Sequence, residues 1–245
     1  MDGKRVLVVG ASSGLGRGIG VALGQAGAHV ALAGRRLDRL TDAAAEAGPD
    51  AATIGCDVCD PADCEAVVAT AIDSLGGLDA LVYCPGVSHL GPLADAGAEL
   101  WHRTLDTNLI GAALVTRAAI PELTKSAGRV IYLTSDSSYD SPPWPGLGPY
   151  IVSKAAMSKL LDVWRAEHPE VAFTRIVVGP TSGEGKNTTE FANDWDPDAA
   201  GEFLTGWITR GFMNGNLVAL ADLTDQIISV LSSGADLTTI VVRPR

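Results

Sequence analysis

Tyr150 and Lys154 stand four residues apart in Tyr150-Ile151-Val152-Ser153-Lys154. On a helix that spacing puts both side chains on one face. A tyrosine hydroxyl ordinarily loses its proton at about pH 10, and a nearby ammonium favours the phenolate. Such a pair can exchange a proton with a substrate hydroxyl or carbonyl near neutral pH. Taken alone, the spacing is weak evidence, explained most of the time by a surface helix. Its setting adds weight. Upstream, Thr134-Ser135-Asp136-Ser137-Ser138 is a hydroxyl cluster, and a serine there can polarise a substrate oxygen. Asn108 is an amide in an otherwise apolar helical stretch, read either as part of the chemistry or as a satisfied residue at a helix kink.

A second constellation lies near the N-terminus, in Gly10-Ala11-Ser12-Ser13-Gly14-Leu15-Gly16. Gly10 permits a tight turn off a strand. Gly14 removes a side chain where backbone must approach a pyrophosphate, and Gly16 lets a helix pack closely on a sheet. The helix start then offers free N–H groups and a partial positive charge to phosphates. The alternative is a glycine-rich connection with no ligand, which its position after the first strand of a βαβ unit disfavours.

The end of the second strand should meet the adenosine ribose. A carboxylate there suits the 2′-hydroxyl of NAD, and an arginine suits a 2′-phosphate. Here the chain reads Gly34-Arg35-Arg36, with no acid. Arg35 can pair with a phosphate in forked geometry, and Arg17 can add charge. NADP(H) is therefore favoured over NAD(H). The competing reading makes Arg35 and Arg36 the start of a solvated helix. Asp57-Val58, after the third strand, is placed to bond an adenine amine; an aspartate there is equally explained by helix capping.

These groups need a frame, and the hydrophobic pattern supplies one. Short β-branched runs at Arg5–Val9, His29–Ala33, Thr53–Cys56, Asp79–Tyr83, Arg129–Thr134, Ala172–Val178 and Thr239–Val242 read as strands. Helical spacing follows the first of them (Leu15, Ile19, Leu23) and recurs over Leu37–Glu46, Ala62–Leu75, Ala98–Leu123, Pro149–Glu167 and Leu223–Leu231. The alternation predicts an α/β, doubly wound parallel sheet, the Rossmann fold. Ligands of that architecture bind beyond the carboxyl ends of the strands. Between Gly179 and Asn216 the rhythm breaks, which predicts a mobile insertion with one or two short helices.

The chain has 245 residues, 47% of them apolar, and a formal charge of −11, which suits one α/β domain over 1–245. An acidic surface argues against nucleic acid and anionic membranes as partners. No apolar run approaches the ~18 residues of a membrane span, and the start shows no signal-peptide pattern. A cytoplasmic location with reduced thiols is expected for Cys56, Cys59, Cys64 and Cys84. Cys56-x-x-Cys59 lacks a second pair and the histidines are scattered, so no metal is expected.

Together these motifs resemble the short-chain dehydrogenase/reductase family in its single-domain form, over about residues 4–180. The resemblance implies that Tyr150 is the general acid/base, that Lys154 orients the ribose and lowers the tyrosine pKa, and that Asn108 holds a proton-relay water. It implies that a serine positions the substrate. Counting from the strand end selects Ser135; counting back from Tyr150 selects Ser137. The strand anchor favours Ser135. Gly10, Ser12, Ser13, Gly14, Leu15 and Gly16 match the cofactor loop. The turn Gly179-Pro180-Thr181 resembles the segment that packs on the nicotinamide. The family's Asn-Asn-Ala-Gly after the fourth strand appears as Tyr83-Cys84-Pro85-Gly86, so only Gly86 is kept and packing around the cofactor must differ. The C-terminal tail also departs from the family, leaving homodimer and homotetramer equally open.

The expected substrate is a small carbonyl or alcohol. Its pocket should lie between the Ser135–Pro149 loop and a lid over 185–216, with His89, Trp144, Phe191, Trp195 and Phe212 as candidate lining. Two other classes compete: a non-catalytic NADP(H)-binding regulator, and a related dehydratase or epimerase. The first has no need of Tyr150, Lys154, the serine and Asn108. The second usually needs an extra acid or a larger substrate domain.

Overall fold

The computed structural model describes residues 1–139 and 142–245. Seven strands form one sheet: β1 (Arg5–Val9), β2 (His29–Gly34), β3 (Ala52–Gly55), β4 (Ala80–Tyr83), β5 (Arg129–Ser135), β6 (Ala172–Val178) and β7 (Thr239–Val242). Their order is β3-β2-β1-β4-β5-β6-β7, and every pairing is parallel. The strand order reverses between β1 and β4, which opens a crevice at their carboxyl ends.

Strand alternation divides the core between two faces. Leu7 and Val9 point toward helices α3 (Pro61–Leu75), α5 (Gly111–Ser126) and α6 (Gly148–Glu167). Val6 and Val8 point toward α1 (Gly14–Gln25), α2 (Leu37–Ala47) and α8 (Leu220–Ser232). Both faces of the central strands are therefore apolar, as a covered parallel sheet requires. This is the doubly wound Rossmann arrangement that the sequence pattern predicts.

The expected single helix over Ala98–Leu123 is interrupted. The structure has α4 (Ala98–Leu105), one wide π turn at Asp106–Ile110, then α5. A π turn inserts a residue into the helical ladder and re-aims a side chain. Here it carries buried Asn108, whose Oδ1 accepts from the Val87 N–H at 2.8 Å and whose Nδ2 donates to the Val87 carbonyl at 3.0 Å. A polar bond to a neighbouring loop thus overrides the apolar periodicity.

The 179–216 insertion holds a short 3₁₀ turn at Gly185–Asn187 and α7 (Pro197–Thr209), in line with one or two short helices. Asp196 caps α7 by accepting from the Ala199 N–H at 2.9 Å, with Pro197 at the first helical position. Among the described residues, no helix is long and apolar enough to cross a membrane.

Candidate active site

The crevice between β1 and β4 opens into a cavity of about 610 Å³. Its floor is the glycine turn. The Gly10 and Ala11 N–H groups both donate to the Ala33 carbonyl at 2.9 Å, which folds the chain sharply off β1. Gly10 has a φ of +81°, in the left-handed region, and a Cβ there would stand 2.9 Å from the Pro85 nitrogen. A Cβ on Gly16 would stand 2.3 Å from the Gly10 carbonyl oxygen. The turn is therefore a cradle that side chains would fill, at the N-terminus of α1. It suits an extended phosphorylated ligand.

Of the expected cofactor residues, Gly10, Ser12, Ser13, Gly14, Leu15, Gly16, Arg35, Arg36, Asp57, Val58, Gly86, Tyr150 and Lys154 all line this one cavity. Arg36 is held in place: its Nη2 donates to Ser12 Oγ at 3.0 Å and to Ser13 Oγ at 2.8 Å. Arg35 is exposed on the rim. Asp57 does not cap α3. Asp60 does, accepting from the Ala62 N–H at 2.8 Å, while Asp57 Oδ1 accepts from the Cys59 N–H at 3.0 Å in the preceding turn.

Two expected contributors lie outside the cavity. Arg17 adds no charge to the cavity. It is buried behind α1, paired with Asp42 at 2.8 Å and Glu46 at 3.0 Å. Gly179, Pro180 and Thr181 do not line the cavity either. Pro180 accepts from the Val218 N–H at 2.7 Å, and Thr181 Oγ1 donates to the Val218 carbonyl at 3.0 Å, so that turn is zipped to the segment before α8. Thr189, Glu190 and Phe191, further along the chain, do line it.

Tyr150 and Lys154 sit in the first turns of α6, over the carboxyl end of β5. Lys154 Nζ donates to the Leu133 carbonyl at 2.9 Å and lies 5.9 Å from the Tyr150 ring centre. Burial pushes the Tyr150 hydroxyl up to about 12, against a hydrogen bond with Ser135 that pulls it down. Burial also brings the Lys154 ammonium down to about 8. Each shift favours the neutral form, against the pull of a nearby ammonium toward the phenolate.

Ser135 closes β5, and its side chain is the one that meets Tyr150. Ser137 is buried behind it, with the two Oγ atoms 2.9 Å apart. Of the two serines, Ser135 is thus the one bonded to Tyr150, and Ser137 backs it. Asn108 lies beneath, with Nδ2 also donating to Ser153 Oγ at 2.9 Å. Its amide is fully engaged, and it ties the loop after Gly86 to α6.

The departures after β4 are accommodated by packing. The Tyr83 hydroxyl donates to the Thr107 carbonyl in the π turn at 2.6 Å, and its ring stands edge-on to Tyr132 at 6.1 Å. Cys84 lines the cavity, and burial pushes its thiol up to about 12, so it stays protonated.

Beside Tyr150 lies an aromatic cluster. Trp144, Phe191, Trp195 and Phe212 belong to it, but of these only Phe191 lines the cavity, the others packing in the core cluster; His89 is exposed. Asp140 and Ser141 of the expected pocket loop lie outside the described residues. Phe203 and Trp207 also belong. Trp207 is the hub: its indole donates to the Pro145 carbonyl at 2.9 Å, and its ring centre is 5.2 Å from Trp144. Their one sequence signal is an i, i+4 pair on α7 in a segment otherwise read as irregular.

A model of the short chain dehydrogenase family matches residues 4–194, and the chain belongs to that family. It is 36% identical over 162 residues to dehydrogenase/reductase SDR family member 4 of Bos taurus, covering 64% of this chain and 57% of that protein. It is 34% identical over 205 residues to 11-beta-hydroxysteroid dehydrogenase A of Sesamum indicum, covering 79% and 58%. The matched region thus spans a little over half of each relative. In fold it is similar to an alcohol dehydrogenase from Thermococcus sibiricus complexed with 5-hydroxy-NADP, with a TM-score of 0.83, 22% identity, and 98% and 96% of the two chains covered.

Proposed function

We propose that this protein is an NADP(H)-dependent oxidoreductase that interconverts a carbonyl and a secondary alcohol, with Tyr150 as general acid/base. The observation that carries the reading is the placement of the Tyr150 hydroxyl. It bonds to Ser135 and lines the same cavity as a phosphate cradle flanked by Arg35 and Arg36. NAD(H) is the alternative cofactor; the absence of an acid at Gly34 and the two arginines favour the 2′-phosphate.

The reduced nicotinamide, when bound, supplies the hydride that reduces a carbonyl carbon. The chain does the rest. Gly10, Gly14 and Gly16 give backbone access to the pyrophosphate, with Arg35 and Arg36 for the ribose phosphate. Asp57 and Val58 border the adenine end, and Lys154 the ribose near Tyr150. Ser135 donates to the substrate oxygen. Tyr150, whose pKa of about 12 keeps it protonated at neutral pH, gives that oxygen its proton. A protonated tyrosine equips the ligand-free site for the reductive direction. Asn108 holds the Gly86–Val87 backbone in register. The 185–216 segment serves as the substrate lid, its aromatic rings favouring a moderately apolar compound.

The test is a panel of ketones and secondary alcohols followed by NADPH absorbance. Turnover on several apolar ketones is expected. NADPH binding without turnover on a broad panel would instead make the protein a binding regulator.

A further inference from the structure

Residues 186–195 run as a strap across the mouth of the cavity, and their contacts imitate a bound ligand. Glu190 Oε1 lies 2.5 Å from Arg36 Nη1 and 2.6 Å from Arg39 Nη1. Arg36 is the arginine that also bonds Ser12 and Ser13 of the glycine turn. One carboxylate oxygen thus receives two guanidinium groups at the place where a phosphate would be neutralised. Next to it, Thr189 lies over the cradle: its Cα is 3.2 Å from where a Cβ on Gly14 would stand. The following residue, Phe191, sets its ring edge-on to Tyr150 at 4.8 Å. Three consecutive residues therefore cover the pyrophosphate turn, the phosphate-binding arginines and the reactive tyrosine.

The strap is anchored on both sides. Lys186 pairs with Asp42 at 3.0 Å and Glu46 at 2.8 Å, and Asn187 Oδ1 accepts from Arg17 at 3.0 Å. Ser88 Oγ donates to the Phe191 carbonyl at 2.6 Å and accepts from the Trp195 indole at 3.1 Å. Arg103 meets Asp194 at 2.6 Å. These anchors are side-chain contacts, most of them part-exposed, so each is weak and replaceable. The Glu190 carboxyl sits below the usual range because Arg36 and Arg39 hold it ionised, so the contact persists at neutral pH.

We propose that the 186–195 strap is an autoinhibitory plug in which Glu190 stands in for a cofactor phosphate and Phe191 for the substrate. Resting on the NADP(H) reading above, it implies an order of events. The dinucleotide phosphate displaces Glu190 from Arg36 and Arg39 and lifts Thr189 from Gly14. The same movement carries Phe191 off Tyr150 and opens the substrate side.

Glu190→Ala tests it, with Glu190→Gln as a second variant that keeps the shape and loses the charge. Both should bind NADPH about two- to fivefold more tightly than the native protein, the range for breaking part-exposed ion pairs. Amide hydrogen exchange at 189–193 in the ligand-free variants should be several-fold faster than in the native chain. A folded variant with unchanged or weaker NADPH binding, or with unchanged exchange there, overturns the proposal. Native affinities for NADPH and NADH judge the cofactor reading separately. Tighter NADH binding would break that reading while the exchange measurement still decided the strap.

Discussion

The cavity has two walls built on different principles. The wall formed by the glycine turn, the end of β5 and the start of α6 is set by backbone: sheet register, helix packing and bonds to carbonyls such as Leu133. The wall formed by the strap, backed by the rings of α7, is set largely by side chains, namely stacked rings and part-exposed ion pairs. Backbone geometry cannot be altered one residue at a time, whereas ring contacts and ion pairs can. On the proposed function, the fixed wall carries the reaction chemistry and the adjustable wall carries admission and selection.

Substitutions should separate the walls by what they change. The largest effect is expected from Tyr150→Phe, which removes the hydroxyl proposed as proton donor while leaving the ring. Turnover should fall by at least ~10²–10⁴-fold with NADPH affinity nearly unchanged, read by NADPH oxidation and by equilibrium binding. Full activity in this variant would dismantle the fixed wall's assigned role. Ser135→Ala should cost about 10²–10³-fold in kcat, as loss of one aimed donor does. Ser137→Ala, one step back from Tyr150, should cost clearly less. An equal loss at both positions would mean that the pair acts as a unit.

A pH experiment reads the fixed wall without substrate. Below about pH 8 Lys154 is charged in both folded and unfolded chains. Between there and its ordinary 10.5 the unfolded chain holds the extra proton, so stability rises with pH across that window. Urea unfolding at pH 7.5 and 9.5 should show native stability rising relative to Lys154→Met by on the order of 2 kcal/mol. A difference that stays flat would show that Lys154 is better solvated than its burial indicates. The smallest effect concerns the cofactor rim. Arg35→Asp should weaken NADPH and shift preference toward NADH by about 10-fold or more, the loss of one charge-assisted contact. NADPH affinity unchanged in that variant would leave the phosphate to Arg36 and Arg39.

The fixed wall was nearly all legible in the sequence, because backbone geometry writes itself in short motifs. Gly10 and Gly16 are needed where no Cβ fits, Gly14 has a φ of +56°, and Tyr150 and Lys154 share a helical turn. The break in the 98–123 helix was not legible, since the bond of Asn108 to Val87 joins residues 21 apart and leaves no local mark. The adjustable wall was legible only in composition. Aromatic residues marked a pocket, but nothing in Thr189-Glu190-Phe191 announces that it lies over Gly14, Arg36 and Tyr150. Arg17 misled for a related reason: its partners Asp42 and Glu46 arrive from α2, and one helix's sequence does not show which face another covers.

Gly16 has a consequence for how such a protein can diversify. With only 2.3 Å between its missing Cβ and the Gly10 oxygen, α1 stands as close to the sheet as backbone allows. Any larger residue moves the whole helix and with it every amide aimed at the pyrophosphate. Descendants of this chain are free to trade rings and charges across the mouth and so wander among substrates. The handle by which they grip the nucleotide is inherited whole.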